Sequence, residues 1–141
     1  MTAARRWLLV SVGIFVLAMP MNSFCVHDNC DFWPSYSVLM FGWLGVLGAP
    51  NSSDITWLAN PLIFAAWLFI FLAKRRLAIA TSALAVILGA SFLWAKTVLM
   101  SEGGNFYQIS GYATGYWLWL ASMALACLAA VLVPRSRGSG R

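Results

Sequence analysis

The densest group of chemistry-bearing side chains is Cys25-Val26-His27-Asp28-Asn29-Cys30-Asp31. Two thiols separated by four residues can close a disulfide or exchange one. His27, Asp28, Cys30 and Asp31 also supply donor types that a metal ion would take. Oxidation would remove Cys30, the strongest of those ligands. One histidine beside neighbouring acids in a single loop rarely converges without a partner element. Asp and Asn are turn formers on their own account. The favoured reading is therefore a polar turn stapled by a Cys25–Cys30 disulfide, with no metal, no cofactor and no catalytic residue assigned. The third cysteine, Cys127, lies in a long apolar run and reads as a small apolar side chain.

A redox reading competes with the staple. Four long apolar stretches with a cysteine pair outside them resemble, in layout, the quinone-coupled disulfide-generating enzymes and the vitamin K epoxide reductases. That resemblance implies a membrane thiol-disulfide oxidoreductase acting through Cys25 and Cys30. The motifs depart from it. Those families carry a Cys-x-x-Cys pair and a second outer pair for the relay. This chain has Cys-x4-Cys, and no cysteine between Lys96 and Ala113.

Two further patterns lie within apolar sequence. Gly42, Gly45 and Gly48 recur at every third residue in the segment 36–49. Such a strip lets backbones approach closely. It suits a surface helix packed on a bundle, or a re-entrant segment lining a pore or kink. Asn60-Pro61 is the polar break inside a span. Pro61 removes a helical hydrogen bond and kinks the helix. Asn60 can then satisfy a freed carbonyl, link to a neighbouring helix, or contact a ligand or ion.

The elements that must position these groups follow from composition. Of 141 residues, 62% are hydrophobic and 9% charged, and the mean hydropathy is +0.80. A soluble domain carries roughly 25% charge, and a small one cannot hide so much apolar surface in one core. The composition argues against a soluble enzyme and a disordered chain. The net charge of +5 does not point to nucleic acid, because long apolar runs separate the basic clusters. The expected class is an all-α integral membrane protein, a small helical bundle with four transmembrane helices over 7–24, 55–73, 77–95 and 115–133. Each is about 28 Å long at ~1.5 Å per residue, close to the ~30 Å hydrocarbon core. The segment 36–49 is shorter, and reads as re-entrant or interfacial. Residues 1–134 form one unit, and 135–141 a disordered basic tail.

Charge sets the orientation. With four crossings and an inside N-terminus, Arg5, Arg6, Lys74, Arg75, Arg76, Arg135, Arg137 and Arg141 are inside and only Lys96 is outside. Asp28, Asp31, Asp54 and Glu102 also fall outside. Five crossings give a poorer split, so the positive-inside rule favours four, with both termini cytoplasmic. The first stretch could instead be a cleaved signal peptide, but Ala18-Met19-Pro20 is a poor cleavage site, which favours a retained anchor. Few lysines, many arginines and alanines, and short loops point to a bacterial inner membrane.

Packing signals complete the reading. Thr81, Ala85 and Gly89 lie four apart, as do Ser122, Ala126 and Ala130. Such stripes bring helices together within one chain or between copies in a homo-oligomer. Trp33, Tyr36, Trp57, Trp94, Tyr112, Tyr116, Trp117 and Trp119 form an aromatic belt at the outer boundary. No Asp, Glu, Lys, Arg or His lies inside an expected span, which argues against an ion-coupled transporter. The expected function is a non-enzymatic accessory, scaffold or interaction subunit of the cell envelope. Its partners would be the bilayer and a membrane or periplasmic protein. The alternatives are a small channel or facilitator built on 36–49, and the oxidoreductase.

Overall fold

A computed structural model describes residues 1–48, 52–99 and 105–135. The first helix, α1 (Ala3–Ala18), starts at Thr2, whose hydroxyl accepts from the Arg5 amide at 3.4 Å. It stops two residues before Pro20, so the expected 7–24 stretch is helical only to Ala18. Ser23 and Phe24 are instead extended, and β1 (Phe24–Val26) begins the cap of the molecule. Helix α2 (Ser35–Gly48) matches the short segment expected at 36–49 up to residue 48; Ala49 lies outside the described residues.

A short turn of helix, α3 (Ser52–Ile55), runs through a 3-10 turn (Thr56–Leu58) into α4 (Ala59–Phe71). The 3-10 turn falls where Pro61 has no amide to give. The Trp57 carbonyl, four residues before Pro61, accepts instead from the Ala59 amide and from Asn60 Nδ2 at 3.1 Å. Thus the proline dictates the local geometry, and the adjacent asparagine satisfies the carbonyl it leaves.

The α4–α5 connection is tight. The Lys74 amide reaches Phe69 O and the Ala73 amide reaches Ile70 O, with Ala73 at φ 55°. This is a Schellman closure with alanine where glycine is usual. Helix α5 (Arg75–Ser91) extends through a second 3-10 turn (Phe92–Trp94), and α6 (Thr114–Val131) closes the bundle. Among the described residues three stretches are long and apolar enough to cross a membrane: Ser53–Phe71, Arg75–Trp94 and Thr114–Val131. Each begins and ends within two residues of its expected bounds. Helix α1 has 16 residues and lies along α6.

Small residues set the helix spacing. The buried stripe of α5 is Ala78, Ser82, Ala85 and Gly89; Thr81 stands at its edge and donates to Leu77 O. On α6, Ser122, Ala126 and Ala130 are all buried. One polar knot crosses the middle of the bundle. The Ser11 hydroxyl donates to Ser122 O at 2.7 Å and accepts from Trp67 Nε1 at 3.0 Å, tying α1, α4 and α6.

The fold is not wholly helical. Strands β2 (Thr97–Leu99) and β3 (Phe106–Tyr112) join β1 in an antiparallel sheet of order β1-β3-β2. The expected all-α class is corrected by this sheet. Two of its three strands are only three residues long and supply too few alternating positions to be read from periodicity. All but the first residue of the expected basic tail, 136–141, lies outside the described residues.

Candidate binding site

The Cys25–Asp31 segment is the tip of a hairpin. Val26 and Asn29 exchange both backbone hydrogen bonds, at 2.9 and 3.0 Å. His27 and Asp28 between them have φ of 50° and 61°, the two left-handed positions of a type I′ turn. The next pair out, Cys25 and Cys30, stands at a Cα separation of 4.0 Å and is joined as a disulfide. Directly opposed residues in a non-hydrogen-bonded pair are the closest in a ladder, so the turn itself brings the sulfurs together. The Asp28 amide donates to Ser110 Oγ at 2.9 Å, at the point where the β1–β3 register skips Ser110. Asn29 Oδ1 accepts from the Asp31 amide, which turns the chain back. Cys30 is thus committed to sulfur. Among the described residues no three His, Cys, Asp or Glu side chains converge as a metal site.

Behind the hairpin the chain returns against itself. Ser23 N and Oγ both donate to Trp33 O, and Ser35 N and Oγ both donate to Met21 O. The start of α6 closes on this pair of strands. Ala113 N reaches Ser23 O and Gly115 N reaches Asn22 O at 2.8 Å. A β-carbon on Gly115 would stand 2.6 Å from Asn22 O and 2.7 Å from Met21 O, so only glycine fits. The joint between cap and bundle depends on that contact. The Tyr112 hydroxyl also braces the joint by donating to Phe92 O at 2.9 Å, and burial pushes its pKa above the ordinary tyrosine value.

Helix α2 leaves this joint and does not enter the bundle. Of its residues only Ser35 is buried, and Leu47 is 75% exposed. It touches the rest of the protein through Val38 and Leu39, which pack against the buried clusters, and along the glycines singled out in the sequence. Gly42 lies against the Trp57 ring, whose Nε1 donates to Leu39 O at 3.1 Å. A β-carbon on Gly45 would lie 2.7 Å from Asp54 Oδ1, whereas Gly48 faces open space. Gly42 and Gly45 therefore form a seam between α2 and the α3 region.

Below the seam a cavity of about 560 Å³ remains between α2, the start of α4, α6 and the cap. That volume lies within the ~300–1,000 Å³ typical of small-molecule sites. Its walls are aromatic: Phe24, Trp33, Phe41, Trp57, Phe92 and Trp119. Polar groups punctuate them. Asn60 lines the cavity floor and is fixed at both ends, donating to Trp57 O and accepting from Trp119 Nε1 at 2.8 Å. Thr56 shares a hydrogen bond with Ser91 at 3.3 Å. Ser37 donates to Pro34 O. The buried Ser53 hydroxyl has no partner among the described residues. Among the described lining residues Asp54 is the sole charged side chain.

The residues singled out in the sequence fall in different parts of the structure. Cys25 and Cys30 belong to the cap. Gly42, Gly45 and Asn60 border the cavity, while Gly48 and the Ser122–Ala130 stripe lie away from it. Ser53, Ser35 and Trp119 were not read as site residues. They come from three separate elements, and no local spacing links them. No protein-family model matches the chain, and no curated protein or solved structure matches it either.

Proposed function

We propose that the protein is a four-crossing integral membrane protein of the bacterial inner membrane. In this reading both termini face the cytoplasm, and the disulfide-stapled cap faces the oxidising side and serves as an accessory or interaction surface. One observation carries it: the bundle is polar in charge along its axis. Arg5 stacks over the Phe71 ring at 5.7 Å, and Arg75 Nε donates to Val131 O at 3.3 Å. The N-terminus of α1, the α4–α5 turn and the C-terminus of α6 therefore share one end. Asp28, Asp31, Asp54, Lys96 and the disulfide share the other. Concentration of arginine at a single end is the signature of the cytoplasmic side.

The sides of the bundle agree with lipid as solvent. Large apolar side chains face outward, among them Ile87 at 63% exposure and Val16 at 59%. A water-soluble monomer rarely exposes so continuous an apolar girdle. Helix α1 spans only about 24 Å at ~1.5 Å per residue, but its arginines can snorkel to the headgroups and make up the difference. The cap offers a surface for a partner protein, where Phe32 is 71% exposed beside His27 and Tyr107.

A topology reporter fused after Arg76 tests the orientation. Cytoplasmic signal is expected; signal from the far side would overturn the reading. Co-purification of one stoichiometric envelope protein, lost on Phe32→Ser, is expected for the accessory role. A partnerless protein in mild detergent would argue against that role alone.

A further inference from the structure

We propose that the cavity under α2 is a binding site for an uncharged amphiphile with a hydroxyl-bearing head, of the monoacylglycerol class. The starting observation is Ser53. Its residue is 8% exposed, it lines the cavity, and its hydroxyl has no hydrogen-bond partner among the described residues. An unpaired buried hydroxyl is costly, and native proteins keep such groups where a ligand or water completes them.

The neighbouring polar groups narrow the chemistry. Ser23, Ser35 and Ser37 have already given their protons to backbone carbonyls. What they present to the cavity is acceptor capacity. Ser53 is the hydroxyl whose proton is not committed within the protein. A head that both donates and accepts satisfies this set, and an alcohol does both. Charge excludes the anionic relatives. Among the described lining residues Asp54 is the single ionisable acid or base other than tyrosine. A carboxylate or phosphate head would meet the like charge of Asp54. The rest of the ligand must be apolar, because the walls are Phe24, Trp33, Phe41, Trp57, Phe92 and Trp119.

The location suits such a molecule. The cavity reaches from the cap down to Asn60 and Trp119, one step inside the helices. On the membrane reading this is the boundary between headgroups and acyl chains, where amphiphiles concentrate. The proposal rests on that reading for the source of the ligand and not for its fit. Helix α2, joined to the rest through the Gly42–Gly45 seam, forms the wall between cavity and surroundings.

The test uses the full chain in phosphatidylcholine nanodiscs, with a diazirine-bearing monoacylglycerol as photoprobe. Saturable labelling confined to α2 and residues 53–60 is expected, competed by unlabelled monoolein and not by oleate. Ser53→Ala should weaken capture about tenfold, the loss of one hydrogen bond, while raising the melting temperature of the unliganded protein. Val38→Trp should abolish capture by filling the space. Labelling spread over the outward girdle and insensitive to both variants would overturn the site. So would a stabilised Ser53→Ala protein with unchanged capture. Competition by oleate or oleylamine as strong as that by monoolein would overturn the head-group assignment. Capture that persists when the Arg76 reporter reads extracytoplasmic would sink the topology and leave the site standing.

Discussion

Single hydroxyls hold this bundle at points where apolar packing has no preference. Ser11 is the clearest case, since one oxygen serves two helices. It donates to Ser122 O and accepts from Trp67 Nε1. Removing it strands an indole N–H in the interior. Ser11→Ala should cost about 1–2 kcal/mol, more than the ~0.6 kcal/mol average for polar links between membrane helices, because two bonds are lost at once. Trp67→Phe removes the stranded donor. In a double-mutant cycle the pair should therefore lose less than the sum of the singles, by about 0.5–1 kcal/mol. Unfolding in mixed micelles reads this out, and strict additivity would mean that the two side chains are not coupled.

At the scale of elements, the hairpin cap is held by turn, sheet and disulfide together. Closing a loop this short contributes about 2 kcal/mol by the chain-entropy estimate. The type I′ turn works against it in part, because His27 and Asp28 occupy positions that Asn-Gly fills with less strain. Replacing both cysteines by serine should loosen the cap and leave the bundle folded. Amide exchange should accelerate in Phe24–Val26 and Phe106–Tyr112, with Ala126 and Ile63 unchanged. Installing Asn-Gly at 27–28 in that background should restore about half of the lost protection. Whether an element could be read from the sequence followed from its length. The helices are legible because each is a long apolar run broken at the basic turn 74–76, but the end of α1 at Ala18, just before Pro20, was not, since the apolar run continues to Phe24. The sheet was not, because Phe24–Val26 and Thr97–Leu99 are three residues each, and the first pairs with partners 83 to 88 positions away. The stapled turn was legible from Cys-x4-Cys alone. The cavity was not. Ser53 reads locally as part of a helix start, and only the fold sets it opposite Ser35 and Trp119.

The whole molecule carries its asymmetry in charge rather than in shape. Four antiparallel helices would insert equally well either way up if their ends were alike. On the proposed membrane reading the arginines at one end break that symmetry, each holding its end at an anionic headgroup surface by about 1 kcal/mol. The three clusters are redundant, since α1, the α4–α5 turn and the end of α6 all terminate together. Neutralising Arg5 and Arg6 alone should then leave orientation intact. Neutralising Lys74, Arg75 and Arg76 as well leaves only Arg135, Arg137 and Arg141 against Lys96, and a mixed population should appear. A Ser136→Cys probe in a Cys127→Ala background, labelled by a membrane-impermeant maleimide in intact cells, measures the inverted fraction. Labelling should stay at background for the parent and the first variant and rise several-fold in the second. Full labelling already in the parent would mean that the arginine end faces outward. The cap disulfide would then lie in the reducing compartment, where it could not persist.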